Sequence, residues 1–431
     1  MNLRDHLNKG VWAAADKAIL LVYGVAVIFV VIMVLPEHEY AAFTIWQTIF
    51  LIICVLSDSV FLQPMVKFAS EHEAEVEQIL AASFNLYSLV MVVSGVIFAV
   101  TAGYFSDLYH MSELYDMLLW MPLALLLNIF RGIGIRFLQV DYRIREIFWV
   151  DLAYYGSMIF LTVLLHSLGM FHSAMDFMRI NVIGGVLSSI VAFVYGRSGF
   201  LAMPLLRVPR GEYRKLLSFA KYQAGTSAFL TLQQWADPLL IGVYAPGYVA
   251  LFSAAKTLYR GFDAVREGAT LLIVPVVSKM HTAGDKQQLS DLIEKMLFIS
   301  FAVLVPVSLV LAIGADPILA IIYKGKFPGI TPVFELLVIT GFILPLVLVA
   351  TNVLIAIGQV KGLFYSVLAA TIVFFGLNRL LDPTMHAEGA ALAVLISTGV
   401  MGILAFISMR RELSISARGV MRQVRGVRNK I

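Results

Sequence analysis

Long apolar stretches follow one another along almost the whole chain, and this feature constrains the fold more than any other. There are about twelve of them, and short polar connections separate them. Because a transmembrane helix needs about 20 consecutive apolar residues, each stretch is long enough to cross a bilayer. Of the 431 residues, 60% are hydrophobic and 14% are charged, which excludes a soluble enzyme, a disordered chain and a single-anchor protein. An outer-membrane β-barrel is disfavoured, because its strands alternate in polarity.

The pattern therefore predicts an all-α integral membrane protein with about twelve transmembrane helices in two six-helix lobes. The predicted spans lie at about 11–35, 41–66, 78–103, 114–138, 147–169, 173–196, 215–243, 248–277, 290–314, 330–357, 362–380 and 388–408. The longest connection carries Pro204 and Pro209 and separates the two halves. We predict an N-terminal lobe at 1–197, a cytoplasmic linker at 198–214, a C-terminal lobe at 215–408 and a basic cytoplasmic tail at 409–431.

The two halves resemble each other where spans two and eight begin. Span two begins with Glu39-Tyr40-Ala41-Ala42-Phe43, span eight begins with Gly247-Tyr248-Val249-Ala250-Leu251, and each follows a short turn that contains a proline. An even number of spans in each half makes the repeats parallel, so they are related by an axis along the membrane normal.

The basic residues predict the orientation. With the N-terminus in the cytoplasm, cytoplasmic segments hold 20 Lys and Arg residues and outer segments hold 3. We therefore expect the protein in the cytoplasmic (inner) membrane. Both of its termini are expected in the cytoplasm. The tail after Met409 has seven basic residues and one acid, which is typical of a segment that binds anionic lipids. It has no aromatic or base-reading element, so nucleic acid is not an expected partner.

Motifs of catalysis are missing from the sequence. It contains no GxxxxGK[ST] phosphate loop, no HExxH motif and one cysteine, Cys54, which excludes an internal disulfide and a thiol metal site. No predicted outer loop exceeds about 16 residues, whereas membrane enzymes that process glycans usually need a larger outer segment. We therefore expect a carrier or channel without catalytic residues, metal or bound cofactor.

Ionisable residues within the predicted spans are the candidate functional residues, because such groups usually face a wet cavity or a partner. In span eight, Lys256, Arg260 and Asp263 share one helical face, and Arg266 follows. By helix rise, Lys256 lies about 12 Å and Arg260 about 18 Å from the outer boundary. Two interpretations follow: an internal ladder of ion pairs through Asp263, or an anion-binding face of a cavity.

A second set of charges lies toward the predicted cytoplasmic side. Lys17, Arg131 and Lys221 either line a cavity or pair with carboxylates, and Asp58 lies at the depth of Arg131, so those two are expected to pair. Arg136 is expected to extend to the inner surface. Asp237 precedes Pro238, which is typical of a helix boundary.

Three segments carry a resemblance to a known family: Leu35-Pro36-Glu37-His38-Glu39-Tyr40, Arg143-Ile144-Arg145-Glu146 and Asp237-Pro238-Leu239-Leu240-Ile241-Gly242. With the two six-span halves, they make the chain similar to the Wzx-type lipid-linked oligosaccharide flippases. Those are polysaccharide exporters of the multidrug/oligosaccharidyl-lipid/polysaccharide (MOP) superfamily. The resemblance covers nearly the whole chain, although Ala41 stands where the family more often has glycine.

The resemblance implies a V-shaped, two-lobe fold around a central cavity that opens alternately to each side. It also implies a polyprenyl-diphosphate-linked oligosaccharide as cargo, moved from the inner to the outer leaflet. Cations in a wet cavity would offset the desolvation of the diphosphate. The expected substrate-binding residues are Lys256, Arg260, Lys17, Arg131, Lys221 and Arg266, and the expected sites of coupling to H⁺ or Na⁺ are Asp58, Asp237 and Asp263.

Two other functions remain open from the sequence. A multidrug/cation antiporter of the same superfamily would place carboxylates in its cavity, whereas Lys256 and Arg260 dominate the middle of span eight. A non-transporting scaffold for envelope assembly would have no use for cations at that depth. Glycan export would also predict the polysaccharide polymerase machinery as a partner.

Overall fold

The computed structural model describes residues 3–65, 76–202, 208–284 and 286–413, and within these ranges the regular structure is helical, without strands. Helix occupies every one of the twelve predicted spans. The chain divides into two compact units, Met1–Thr231 and Leu232–Ile431. This division falls some 20 residues after the predicted linker, of which residues 203–207 lie outside the described ranges. The tail beyond residue 413 also lies outside them, so its lipid contacts stay a prediction.

Eleven helices belong wholly or mainly to the first unit, and several of them are interrupted. They are α1 (Leu3–Ala26), α2 (Glu37–Ser57), α3 (Val76–Val100), α4 (Ala102–Tyr109), α5 (Ser112–Leu119), α6 (Met121–Val140), α7 (Ile144–Asp151), α8 (Ser157–Ser167), α9 (Ala174–Tyr195), α10 (Arg197–Ala202) and α11 (Arg210–Trp235). Three π-helical segments, Val27–Ile32, Asp58–Leu62 and Leu152–Gly156, continue α1, α2 and α7. Such segments re-aim the side chains around them and are frequent at functional sites.

The second unit holds the remaining helices. They are α12 (Asp237–Tyr244), α13 (Val249–Ala283), α14 (Lys286–Ile313), α15 (Ala315–Tyr323), α16 (Ile330–Ile339), α17 (Leu344–Ala356) and α18 (Val360–Glu412). Helix α18 is really two helices, because His386 at its centre has φ 51° and ψ −124° and breaks the helical backbone. Its two halves correspond to the last two predicted spans.

Eight of the described helical stretches are long and apolar enough to cross a membrane, and the bent pair of α16 and α17, at 48°, makes nine. Helix α18 is one of the eight although it carries two predicted spans. Helices α11 and α13 fall outside this set: charged residues are spread along α13, whereas α11 has charges up to Lys221 and uncharged polar residues such as Gln233 and Gln234 after it. Two predicted spans, 215–243 and 248–277, therefore have a composition that departs from that of a lipid-facing helix.

Large apolar side chains cover much of the surface of both units, as expected for helices that face lipid. Val100 is 80% exposed in the first unit, and Ile313 is 77% exposed in the second. Inside the first unit, small residues bring helices into close contact: a Cβ added to Gly134 of α6 would lie 2.8 Å from Cβ of Ala192 in α9. Membrane helices associate through such contacts, because burial of apolar surface drives them together weakly in lipid.

The turn that resembles the flippases has a structural role in the first unit. Glu39, in the first turn of α2, accepts a hydrogen bond from the backbone N–H of Ala174, the first residue of α9. Ser173 caps the same helix end in a capping box with Asp176. A carboxylate at a helix N-terminus is favourable because of the unpaired N–H groups there, so Glu39 fastens α9 to α2.

Candidate functional site

Arg131 of α6 is held by residues of α7 and of the π-helical segment that follows it. Its Nη2 donates to Oδ1 of Asp151, which is buried, in a short ion pair. Its guanidinium also lies 4.7 Å from the ring centroid of Tyr154 and 5.7 Å from that of Tyr155. Cation–π contacts of this kind stabilise an arginine that has left water. Arg131 therefore pairs with a carboxylate inside the unit, one of its two expected roles.

The expected pairing of Asp58 with Arg131 is wrong. Asp58 pairs with Arg136 rather than with Arg131: Nε of Arg136 lies 3.0 Å from Oδ1 of Asp58, and Nη2 lies 2.5 Å from Oδ2. Arg136 is therefore the bidentate partner of Asp58, and its extension to the inner membrane surface stays a prediction. The expectation counted depth along one straight helix, whereas the predicted span 114–138 is broken at Trp120 into α5 and α6.

A small pocket lies beside Arg131. Its polar lining consists of Arg131, Asn128, Tyr154 and Asn181, among apolar side chains. Asn128 Nδ2 donates to the hydroxyl of Tyr87 at 3.0 Å, and Tyr154 donates to Oδ1 of Asn181 at 3.1 Å. The amides and the tyrosine hydroxyl of the lining are therefore hydrogen-bonded, whereas Nε of Arg131 is buried without a hydrogen-bond partner among the described residues.

The two other cations expected in the first unit are Lys17 and Lys221, and the structure describes the side chain of Lys17 only. Lys17 is exposed on α1. Its neighbour Asp16 is half-buried, and Oδ1 of Asp16 is buried without a hydrogen-bond partner among the described residues. Lys221 lies in α11, and its side chain is outside the described part of the structure. Neither Asp16 nor Asp151 was a candidate from the sequence, although an acid beside Lys17 in an apolar span is a visible signal.

In the second unit, Lys256 of α13 is buried against the start of α12. Its Nζ donates to Oδ2 of Asp237 in a short ion pair and to the backbone carbonyl of Gln234 at 2.6 Å. Asp237 is fully buried, and Lys256 is 8% exposed. A buried ammonium is stable only with such partners. Asp237 is thus more than a helix boundary, because it balances the charge of Lys256.

A second buried carboxylate lies near this pair, and the sequence analysis missed it. Asp382 of α18 is fully buried, and neither of its carboxylate oxygens has a hydrogen-bond partner among the described residues. It interacts electrostatically with Asp237, whose Oδ1 is likewise unpartnered. The amide of Asn378, one turn earlier, is also fully buried. The spacing of four between Asn378 and Asp382, just before Pro383, was the signal, but the predicted span ended at residue 380.

Arg260 differs from Lys256, although both lie on the face of α13 that meets residues 234–237. It is exposed, and its guanidinium lies 4.7 Å from the ring centroid of Trp235. One turn further, Nη2 of Arg266 lies 3.3 Å from Oδ1 of Asp263. The two interpretations of span eight thus each describe part of it: an ion pair links Asp263 to Arg266, and Arg260 presents an exposed cation.

The solved structures that resemble this chain are membrane transporters rather than enzymes. "Lipid II flippase MurJ" in an inward closed conformation has a TM-score of 0.77 at 13% identity, over 96% of this chain and 89% of that one. An inward-facing multidrug resistance MATE family transporter of the MOP superfamily has a TM-score of 0.72 at 13% identity, over 94% of each chain. A MOP superfamily transporter from Pyrococcus furiosus, described as having a binding pocket of reverse polarity, has a TM-score of 0.60 at 12% identity.

These likenesses establish the fold, which is that of the MOP transporters, and they confirm the expected fold class. No curated protein sequence matches the chain significantly. A family match in sequence covers residues 30–332, which is well over half of the chain. The chain therefore belongs to the family described as polysaccharide biosynthesis protein, and it is a multi-pass membrane protein with a transporter fold.

Proposed function

We propose that this protein is a flippase that moves a polyprenyl-diphosphate-linked oligosaccharide from the inner to the outer leaflet by alternating access. The product would serve the synthesis of a cell-surface polysaccharide such as lipopolysaccharide. The polysaccharide biosynthesis family and the likeness to a lipid II flippase support a lipid-linked glycan as cargo. The observation that carries the proposal is Arg260, an exposed cation on α13 about 18 Å by helix rise from Tyr248, the predicted start of span eight.

Arg260 suits a diphosphate for a geometric reason. A guanidinium presents a planar fork of N–H donors that matches two phosphate oxygens, and its charge does not depend on pH. Trp235 supports one face of this fork. Lys256 has the weaker claim to direct binding, because Asp237 and the carbonyl of Gln234 already occupy its ammonium. We assign Lys256 to charge balance in the second unit, and Arg260 to the substrate.

Coupling to H⁺ or Na⁺ is assigned to Asp237 and Asp382 together. Asp58 and Asp263, the other expected coupling residues, each face an arginine, Arg136 and Arg266 respectively. Asp237 pairs with the buried ammonium of Lys256, whereas the carboxylate of Asp382 has no hydrogen-bond partner among the described residues, so one negative charge is left over. One proton or one sodium ion would neutralise it, which burial requires. If so, Asp382→Asn should remove the dependence of transport on that ion.

The alternative of a multidrug/cation antiporter draws support from the likeness to a MATE family transporter and from these two buried carboxylates. It requires cationic cargo, which Arg260 would repel. A scaffold would need no exposed cation at this depth. The test below separates the three, because only glycan export makes the charge of Arg260 essential.

The experiment measures export of lipid-linked glycan in cells whose own copy is deleted, with the membrane amount of each variant determined alongside. Arg260→Ala should abolish export, and Arg260→Lys should retain part of it, because the charge stays and the fork is lost. Arg379→Ala is the matched control, since Arg379 also lies over a tyrosine ring, 5.3 Å from that of Tyr244. Full export by Arg260→Ala at normal abundance would refute the proposal.

The location and orientation are proposed with the function: the cytoplasmic (inner) membrane, with both termini inside. A Cys54→Ala background leaves no native thiol, so single cysteines can report the side of the membrane. Cysteines that replace Ser106 and Ser173 should react with an impermeant reagent outside the cell, and one that replaces Gly284 should not. The reverse pattern would overturn the orientation. Association of the tail with anionic lipids, and of the protein with polysaccharide polymerase machinery, also remains proposed.

A further inference from the structure

An aromatic cluster where α1 meets α7 holds an arginine that the proposed function does not use. The ring centroid of Trp12 in α1 lies 5.0 Å from that of Phe148 and 6.2 Å from that of Trp149, both in α7. The rings of Phe148 and Trp149 lie 5.3 Å apart. Earlier in α7, the guanidinium of Arg145 lies 5.5 Å from the ring centroid of Trp12. Trp12 is thus supported by two rings of α7 and in turn supports Arg145, and we call these four residues the Arg145 platform.

The two arginines of this segment, Arg143 and Arg145, are held differently. Nη1 of Arg143 donates to the backbone carbonyl of Tyr195 at 2.9 Å, at the end of α9, and its Nε lies 3.3 Å from Oε1 of Glu146. A cation at a helix C-terminus is favourable, so Arg143 belongs to the structure of the unit. Arg145 is exposed, lies over a tryptophan ring and has no ion pair among the described residues. Its guanidinium can therefore donate to an anion from outside the chain.

An exposed apolar stripe runs along α1 from the level of the Arg145 platform. Its members follow one another at spacings of seven, four and three residues, which keeps them on one face of the helix. They are Val11, Ala18, Val22 and Val25. The stripe is about 21 Å long by helix rise, which is about half of the roughly 40–45 Å of a bilayer with its headgroup regions. An acyl chain whose headgroup lay beside Arg145 would therefore find an apolar surface through one leaflet.

We propose that the Arg145 platform and the apolar stripe of α1 together bind one anionic phospholipid. The planar N–H fork of Arg145 matches two phosphate oxygens of the headgroup in charge-assisted hydrogen bonds. Tryptophan rings prefer the headgroup level of a bilayer, which is where Trp12 and Trp149 lie in this arrangement. The acyl chain lies along the stripe. A lipid bound in this way contacts both α1 and α7 and stabilises their packing.

Charge and shape favour an anionic lipid over the two other carriers of a phosphate. A soluble phosphate would use Arg145 and leave the stripe uncovered, whereas a lipid uses both. Phosphatidylcholine has the phosphate and the chains, but its quaternary ammonium cancels the charge that attracts Arg145. In the proposed orientation, the platform lies at the inner leaflet, whose anionic lipids attract basic residues. The site belongs to the helices of the first unit and is separate from the lipid contacts expected of the tail.

The test measures which lipid contacts Trp149 in the complete protein, reconstituted in vesicles. Bromine on an acyl chain quenches the fluorescence of a tryptophan that it touches. Two sets of vesicles have the same mixture of phosphatidylglycerol and phosphatidylcholine, and they differ only in which of the two lipids is brominated. The signal of Trp149 is the difference between each protein and its Trp149→Phe counterpart. We expect phosphatidylglycerol to be preferred about fivefold at Trp149, the scale of the attraction of one basic residue for an anionic surface.

Variants assign the preference to Arg145. Arg145→Ala should abolish it, and Arg145→Lys should keep part of it, because the charge stays and the fork is lost. Arg179→Ala is the matched control, since Arg179 is also an exposed arginine of the first unit. It lies on α9 about 24 Å by helix rise from Tyr195, which Arg143 contacts. Its removal takes away the same charge far from the platform and should leave the preference unchanged.

Inorganic phosphate, compared with chloride at equal ionic strength, tests the soluble alternative, and the preference should persist in both. Equal quenching of Trp149 by the two lipids in the wild type would overturn the proposal, and this result does not depend on the folding of any variant at Arg145. So would an undiminished preference in folded Arg145→Ala, or a preference that phosphate abolishes and chloride does not. No glycan takes part, so a failed export experiment would leave this result unaffected.

Discussion

The two units treat buried charge differently. In the first unit, Arg131 and Arg136 each have a carboxylate on a neighbouring helix, Asp151 and Asp58. In the second unit, Lys256 has Asp237, while Asp382 is buried without a hydrogen-bond partner among the described residues and Arg260 is exposed over an aromatic ring. Charge in the first unit thus ties helices together, whereas the second unit keeps one carboxylate, Asp382, buried and one cation, Arg260, exposed. The second pattern is the one expected where ions or charged cargo bind.

The largest effect on stability should come from the second unit's buried pair. Asp237→Ala would leave the ammonium of Lys256 buried with one carbonyl partner, which costs about 3–5 kcal/mol when a buried pair is broken. We expect a large loss of protein that elutes as a single species after heating in detergent. The double change Asp237→Leu with Lys256→Met should recover most of it, because it removes both charges. If Asp237→Ala were as stable as the wild type, the difference in how the two units hold buried charge would have no effect on stability.

A smaller effect is expected from the first unit's Arg136. Arg136→Ala would leave Asp58 without its bidentate partner, and we expect a loss of about 2 kcal/mol, the scale of hydrogen bonds to charged groups. Both side chains are 23% exposed, so water can compensate more than it can for Asp237. The measurement is the same thermal assay. Exchange of the pair, Asp58→Arg with Arg136→Asp, should be more stable than either of its single changes if the two side chains are in contact.

The sequence sufficed for the fold because the fold depends on repeated features. Twelve apolar segments, an even division and short turns are properties of the whole chain, and errors at any one residue do not change them. Charged residues such as Lys256, Asp237 and Arg131 were also found, since an ion in an apolar span is conspicuous, but Asp151 and Asp382 were missed. Their partners could not be found in the same way. Asp58 was matched to Arg131 by depth, but the break at Trp120 shifts α6 and brings Arg136 to Asp58 instead.

Asp382 shows the other limit of the sequence. The predicted spans end at residue 380 and begin again at 388, whereas the helix continues to the kink at His386 and buries Asp382 completely. Proline at the start of a turn and proline within a bent membrane helix look alike in sequence, because neighbouring helices can satisfy the freed carbonyl groups. Only the packing of α18 against the other helices of its unit identifies Asp382 as part of the cluster with Asp237.

A substitution that changes packing but no charge should lower thermal stability less than Arg136→Ala does. Gly134→Ala should cost about 1–2 kcal/mol, because the new Cβ would lie 2.8 Å from Cβ of Ala192 and would force α6 away from α9. Gly376→Ala in α18 is the matched control: nothing lies within 4 Å of the added Cβ, so helix propensity alone should make it neutral or slightly stabilising. If the two variants were equally stable, the close contact of α6 and α9 would not contribute measurably to thermal stability.

The smallest effect should come from Arg266, which completes the comparison within α13. Its ion pair with Asp263 joins residues three apart on one helix, at 3.3 Å, and 29% of the Arg266 side chain is exposed. Pairs of this kind contribute about 0.2–0.5 kcal/mol, so Arg266→Ala should hardly change thermal stability. Its effect on glycan export should also be well below that of Arg260→Ala, since Asp263 already neutralises Arg266. If Arg266→Ala abolished export at normal abundance while Arg260→Ala did not, the anion site would lie one to two turns further along α13, and the proposed cargo contact would move from Arg260 to Arg266.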